Sequence, residues 1–262
     1  MTGRLNHGSP ALPGIGLPMY SNSEYSNLLQ RGASQKCAWL CPDGGGVSWQ
    51  FGFGTAALTS LSIEDLDGNL TSLGTSGIET VSISGSRKIH SYVEPTGAPS
   101  GIWRYVIGFF GGATVYSDYF QSGGCEDNFM VLNFSDSKDY NAGAYYGGTY
   151  KNTIYIDSGF SRPAMEYTEE VVQDGLGYGL PILQRTMDIY RVDVLADAGL
   201  LATLYRAANH DTATITYPGQ SDEIPINTMR ASDTGAKEDD LAVVEFSFRR
   251  EFMETTTQSF SI

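Results

Sequence analysis

Apolar and polar positions alternate along much of this chain with a period of two. Trp49, Phe51 and Phe53 are separated by Gln50 and Gly52, which predicts a half-buried strand with one face turned inward. Trp103, Tyr105 and Ile107 oppose Ile102, Arg104 and Val106 in the same way, up to a Gly111-Gly112 turn. Val81 and Ile83 alternate with serines, and Val115 to Phe120 reads as another strand. Leu61 and Ile63 run into Asp65-Leu66-Asp67-Gly68-Asn69, whose Asp-Gly step predicts a hairpin. Phe129–Phe134 and Thr153–Ile156 make two further strands. Between them, Tyr140–Gly148 has no period. It reads as a flexible loop or, because aromatics on a Gly-rich segment adapt to a partner, as a contact loop in an oligomer.

The last third, Met165 to Phe252, has a different texture. Glu169-Glu170-Val171-Val172-Gln173-Asp174-Gly175 reads as an acidic turn-rich segment. Thr186–Leu195 follows as a strand with Tyr190, Val192 and Val194 on one face. Asp197 is placed to cap a helix by accepting from its unpaired N–H groups. Leu200, Leu201, Leu204, Tyr205 and Ala208 then form its expected apolar stripe. Each buried leucine would contribute roughly 1.5–3 kcal/mol. Asn209-His210-Asp211 ends the helix, with His210 suited to the negative end of its dipole. Thr212–Tyr217 is a strand, Pro218-Gly219 a turn, and Glu223–Met229 a strand that Pro225 confines to an edge. Val244, Phe246 and Phe248 line a long last strand. This order predicts a sheet with one covering helix.

Composition divides the chain into three. Residues 1–46 are rich in Gly, Pro, Ser and Asn, with Pro10, Pro13 and Pro18 spaced along them. They read as an extended arm, poor in core and suited to docking. Residues 47–164 are the β-rich region with its Tyr/Gly loop, and 165–262 the sheet with its helix. The latter two also read as one continuous domain, 47–262. The expected class is mainly β: β-sandwiches with one flanking α-helix and an extended Gly/Pro-rich arm. Among 262 residues there are 31 Gly and 16 Tyr, which favour strands, tight turns and contact surfaces over helical bundles.

Charge narrows the partners. Sixteen Lys and Arg against thirty Asp and Glu leave a formal net charge of −14, which disfavours sequence-specific binding of nucleic acid. Cys37, Cys41 and Cys125 are too few for a four-thiolate zinc site. A Cys37–Cys41 disulfide is conceivable, but reduced or buried thiols are the expected state. Met1–Leu17 lacks the pattern of a signal peptide, and no apolar run has the ~20 residues that span a bilayer. The expectation is synthesis in a cytoplasm and no membrane partner.

The search for reactive constellations fails repeatedly. Gly97-Ala98-Pro99-Ser100-Gly101 has the wrong spacing for a serine-nucleophile elbow. Gly44-Gly45-Gly46 runs into a strand and not into Lys-Ser/Thr and a helix, so it is no phosphate cradle. Asp65–Asn69 has its Gly too early and lacks the closing Glu of a calcium loop. His7, His90 and His210 form no ligand pattern. Glu169/Glu170 and Asp239/Asp240 are adjacent pairs, and neighbours on a strand point to opposite faces, so neither is an acid–base dyad. No catalytic, cofactor-binding or metal-ligating residue is assigned; the chain reads as a non-enzyme.

Short pieces of the text resemble a class of phage tail proteins, in particular those of phages infecting Bacteroidota. They are Gly101–Ile107, Tyr116–Phe120, Asn152–Ile156, Glu169-Glu170 with Asp174–Gly177, Arg185–Val194, the helix before His210-Asp211, and Val243–Phe248. Upstream, Trp49-Gln50-Phe51 is similar to a short element of the same class. The resemblance implies a virion structural protein of the tail, nearest to distal-tail or tail-tube components. Such proteins build rings from a β-sandwich flanked by a helix, with the sheets of neighbours joined around a lumen. Its implied partners are copies of itself in a cyclic homo-oligomer and other tail, neck or baseplate proteins. Its implied location is the virion, after synthesis in the host bacterial cytoplasm. The alternative is a carbohydrate-binding β-sandwich module, receptor-binding or secreted.

Overall fold

The computed structural model describes residues 14–21, 37, 39–84, 87–123, 129–141, 144–157, 164–173, 176–177, 179–196, 198–207, 209–216, 224–225, 228–232 and 242–254. These make a mainly β protein. In chain order the first strands are β1 (Gly14–Gly16), β2 (Met19–Tyr20), β3 (Trp39–Cys41), β4 (Trp49–Phe53), β5 (Leu58–Glu64), β6 (Leu70–Ser72), β7 (Ile78–Ser84), β8 (Arg87–Tyr92), β9 (Gly101–Phe109) and β10 (Thr114–Ser122). There follow β11 (Phe129–Ser135), β12 (Tyr140–Asn141), β13 (Ala144–Tyr145), β14 (Asn152–Asp157), β15 (Ala164–Gln173) and β16 (Gly179–Ala196). Helix α1 (Ala198–Ala207) and strands β17 (Thr212–Thr216), β18 (Ile224–Pro225), β19 (Thr228–Ser232) and β20 (Ala242–Glu254) complete the described elements.

Two sheets enclose the main core. One is four-stranded, β1-β4-β8-β7; the other is ten-stranded, β18-β17-β11-β14-β3-β10-β9-β5-β6, with β2 added on β10. Trp49 and Phe51 of the first sheet meet Tyr105 and Phe109 of the second at ring-centroid distances of 6.1 and 6.3 Å. Tyr105 stacks in turn on Phe120. Aromatic pairs at these spacings add to the area they bury. The alternation read from the sequence holds on β11 and β17, and on β9 from Tyr105 onward, whereas Trp103 is half-buried and Arg104 is buried.

Strand β4 departs from it. Trp49, Gln50 and Phe51 are all buried, so this strand has two covered faces. Gln50 is tolerated there because each half of its amide is used, as described below. The hairpin at Asp65 is as expected: one Asp65 carboxylate oxygen accepts from the N–H of Asp67 and of Asn69, and Gly68 takes a φ of 84°.

The segment read as a core-poor arm behaves differently where it is described. Ile15, Leu17, Met19, Trp39 and Cys41 are buried in the main core. β1 pairs with β4, β2 with β10, and β3 lies between β14 and β10 in the large sheet. Isolated Pro and Gly frame these short strands, and the apolar residues between them carry the packing. Residues 1–13 and 22–36 lie outside the described residues.

The last third also divides differently. Val171 and the acidic pair before it belong to strand β15, which pairs with β16 through a bulge at Glu170/Val171. β16 extends over eighteen residues, well beyond Thr186–Leu195. β15-β16-β20-β19 form a separate four-stranded antiparallel sheet, whereas β17 and β18 belong to the ten-stranded one. The stretch read as one strand, Glu223–Met229, therefore splits between two sheets, with Pro225 on an edge as expected. In α1 the buried residues are Leu200, Thr203, Leu204 and Ala207, while Tyr205 is exposed. The true stripe follows i, i+3, i+4, i+7, rotated from the one read. Thr203 fits it by donating its hydroxyl to Gly199 O at 3.0 Å. Asp197, Ala208, Tyr217 and Pro218-Gly219 lie outside the described residues.

Candidate functional site

The Tyr/Gly segment is a hairpin fixed at three points. Gln50 Nε2 donates to Tyr145 O at 2.7 Å and to Ser91 Oγ at 2.9 Å, and Gln50 Oε1 accepts from Tyr145 N at 2.6 Å. A side-chain amide thus pairs with the backbone of β13 as a neighbouring strand would. Tyr146 Oη lies 2.6 Å from His210 Nε2, and His210 Nδ1 lies 2.8 Å from Arg206 O. Because a carbonyl only accepts, Nδ1 carries the hydrogen and Nε2 accepts from the tyrosine. On the other side, Glu79 Oε2 accepts from Thr149 N at 3.1 Å. Gly147 and Gly148, between the Tyr146 and Thr149 anchors, are exposed, as is Thr149. These bonds hold the segment from Ala144 to Thr149; residues 142–143 lie outside the described residues.

His210 stands at the end of α1 as read, with Nδ1 on a carbonyl of the last turn, but as a neutral ring. Burial lowers its pKa, outweighing the Arg206 and Ala207 carbonyls that raise it. It joins α1 to the hairpin as a neutral ring, packed 4.8 Å from Phe134. His90 is likewise neutral: fully buried, 2.9 Å from Thr80 Oγ1, and between Phe51 and Phe109. Burial first, and Lys88 second, push its pKa down to about 4.

Arg104 makes a second cluster that the sequence did not single out. Its Nε donates to Glu64 Oε2 at 2.8 Å, and its guanidinium stands 4.9 and 5.2 Å from the ring centres of Tyr116 and Tyr119. Tyr20 Oη donates to Asp118 Oδ2 nearby, at 3.3 Å. This cation is committed to a carboxylate and two rings, which suits packing and leaves little for an external anion.

The motifs set aside on spacing take these places where they are described. Gly44 N donates to Ala98 O, Gly97 N to Gly44 O and Ala98 N to Gly45 O, so the two Gly-rich stretches pair with each other. Cys37 and Cys41 are buried and not joined to one another; burial pushes the Cys41 thiol up to about 12. Glu169 and Glu170 are in register with Gln184 and Leu183 at consecutive positions of β15. Among the described residues no group of three His, Cys, Asp or Glu is placed to hold a metal ion. His7, Cys125 and Asp239/Asp240 lie outside the described residues.

The described residues also include an open sheet edge and exposed apolar side chains. β15 is a ten-residue edge strand, paired on one side with β16. β16 pairs with β20 from Gln184 to Ala196, and β20 with β19 from Thr228 to Ser232. α1 lies against β16 and β19, and β14 against β16. Elsewhere Phe110, at the β9–β10 turn, is 78% exposed, and Leu70 on β6 is 63% exposed. No helix among the described residues is long and apolar enough to cross a membrane. The chain matches no protein-family model, no curated protein and no solved structure.

Proposed function

We propose that this chain is a non-enzymatic structural protein of a phage tail, a ring or tube segment in which the two packed sheets act as a β-sandwich flanked by α1. The observation that carries the reading is the sheet β15-β16-β20-β19. Its longest strand, eighteen residues, extends ~60 Å at about 3.3 Å per residue, far past the usual strand of ~5–6 residues. Its edge β15 is ten residues long, has no proline, and turns the backbone groups of alternate residues outward. A long edge of that kind calls for a covering element or another chain. A neighbouring copy that pairs along it and repeats the contact head to tail would close a ring. The absence of a reactive constellation in the sequence fits a part of an assembly, and the resemblance to tail proteins supplies the setting.

Light scattering after size exclusion, followed by negative-stain microscopy, tests this. Rings or short tubes are expected. Single proline substitutions through Thr168–Val172 should alternate in effect, one parity blocking outward pairing while the chain stays folded and the other breaking the β16 ladder. A folded monomer at every concentration, retained on a glycan array, would replace this reading with a carbohydrate-binding module.

A further inference from the structure

The two ends of the β5–β9 pair carry opposite chemistry. Leu58 is in register with Phe109 and Glu64 with Arg104, so the β9–β10 turn and the Asp65–Asn69 turn lie at opposite ends. At the first end, Phe110 N donates to Ala57 O at 2.8 Å and Gly112 N to Phe109 O at 3.1 Å, which fixes the exposed Phe110 on a braced tip. Phe53 of the facing sheet stands 4.4 Å from Phe109 by ring centres, in register with Lys88. Arg87 and Ile83 are exposed beside it. Residues 53–60, 81–90 and 105–117 contain two cations, Arg87 and Lys88 besides the neutral His90, and no Asp or Glu. In a chain of net charge −14 that is a local reversal.

The other end is its complement. Leu66 and Leu70 are exposed on the β5–β6 hairpin, with Asp65 and Asp67 between and beside them. Hydrogen bonds from Asn69 hold the Asp65 carboxylate below its usual pKa. Leu73, just after β6, comes next to Gly97 in the loop that follows Glu94, and Gly97 pairs with Gly44 beside Asp43. The cation at this end, Arg104, is held by Glu64.

We infer that the two ends are halves of one head-to-tail contact, in which the Asp67/Leu66/Leu70 hairpin of one copy docks on the Phe110/Lys88/Arg87 end of the next. Each half pairs exposed apolar side chains with charge of one sign, and the signs are opposite. Such polarity steers encounter and sets orientation. A heterologous contact of this type propagates as a filament or a stack. It uses elements other than β15 and therefore stands whether or not copies also close into a ring. The spacing between the two ends, nine residues of strand path from Ala57 to Leu66, gives a repeat on the order of 30 Å.

Sedimentation velocity over a concentration series, at low and high salt, reads the contact. Wild-type protein should self-associate in steps, less at high salt. The double variant Arg87→Glu/Lys88→Glu and the single variant Asp67→Lys should each weaken association by roughly tenfold or more, since each brings like charges together. Asp67 and Arg87 are exposed and Lys88 is half-buried near the start of β8, and unchanged thermal melts show that the variants fold. Mixing the two variants should restore association, because each then meets an opposite partner. Unchanged association in either variant, or a mixture that fails to recover, overturns the inference. Microscopy separates it from the ring proposal: variants that form rings but no stacks lose only this contact, and wild-type stacks without rings would sink the other.

Discussion

Acidification from about pH 7.5 to about pH 4 probes the aromatic cage around His90. The ring is fully buried among Phe51, Phe109 and the end of β7, and its pKa drops from 6.5 to about 4. Above pH 6.5 the folded and unfolded chains both hold it neutral and the full stability is present. Between 6.5 and about 4 the unfolded chain alone takes up the proton, so stability falls as pH falls. At 1.36 kcal/mol per unit the total loss is about 3 kcal/mol, with about 2 kcal/mol gone near pH 5. Against a typical domain stability of ~5–15 kcal/mol that is a large share. Urea unfolding midpoints of wild type and His90→Phe, measured across this range, isolate the contribution. Phe keeps the ring among its aromatic neighbours, and the Thr80 hydroxyl it leaves is on an exposed residue. The variant should show a flatter decline below pH 6.5, retaining only what carboxylates and His210 contribute. Parallel curves for the two proteins would refute the reasoning.

Two substitutions test the packing that positions the surfaces. Gln50→Leu removes three hydrogen bonds, two of them to the Tyr145 backbone, at a cost of roughly 2–4 kcal/mol. Hydrogen exchange should quicken first at residues 144–150, and unchanged exchange there would show that the clamp does not hold the hairpin. Gly46→Ala would put a Cβ 2.5 Å from Tyr105 Oη and 2.7 Å from Pro95 Cβ. Moving that tyrosine disturbs its bond from Val47 N, and a loss of roughly 1–3 kcal/mol is expected in thermal melts.

Strands β11, β14 and β17, and β9 from Tyr105 onward, were legible because one side of each is buried and period two survives. So was the Asp-Gly hairpin, whose turn chemistry is local. β4 was half legible: Gln50 looks like a solvent residue, and the groups that satisfy it lie 41 and 95 positions away. The stripe of α1 was misplaced because Leu201 and Tyr205 are as apolar in text as Leu200 and Leu204. Only the packing of Ala207 and Thr203 reveals the rotation. The arm misled most, since proline and glycine counts say nothing of three short strands that find their partners far along the chain. Arg104 had no signal at all; a guanidinium is buried by distant Glu64, Tyr116 and Tyr119.

The position of β3 has a consequence for how the chain reaches this state. Trp39–Cys41 runs parallel to Phe120–Ser122 and touches β14 through Tyr155. Synthesis proceeds from the N-terminus at ~5–20 residues per second, so β3 waits on the order of ten seconds before both neighbours exist. Until β10 is made its tryptophan has no partner strand, and until β14 follows one side of β3 stays open. Closure of the large sheet is then a late, non-local event, the slow kind of folding step. A nascent chain cut before β14 carries an open seam in the middle of that sheet.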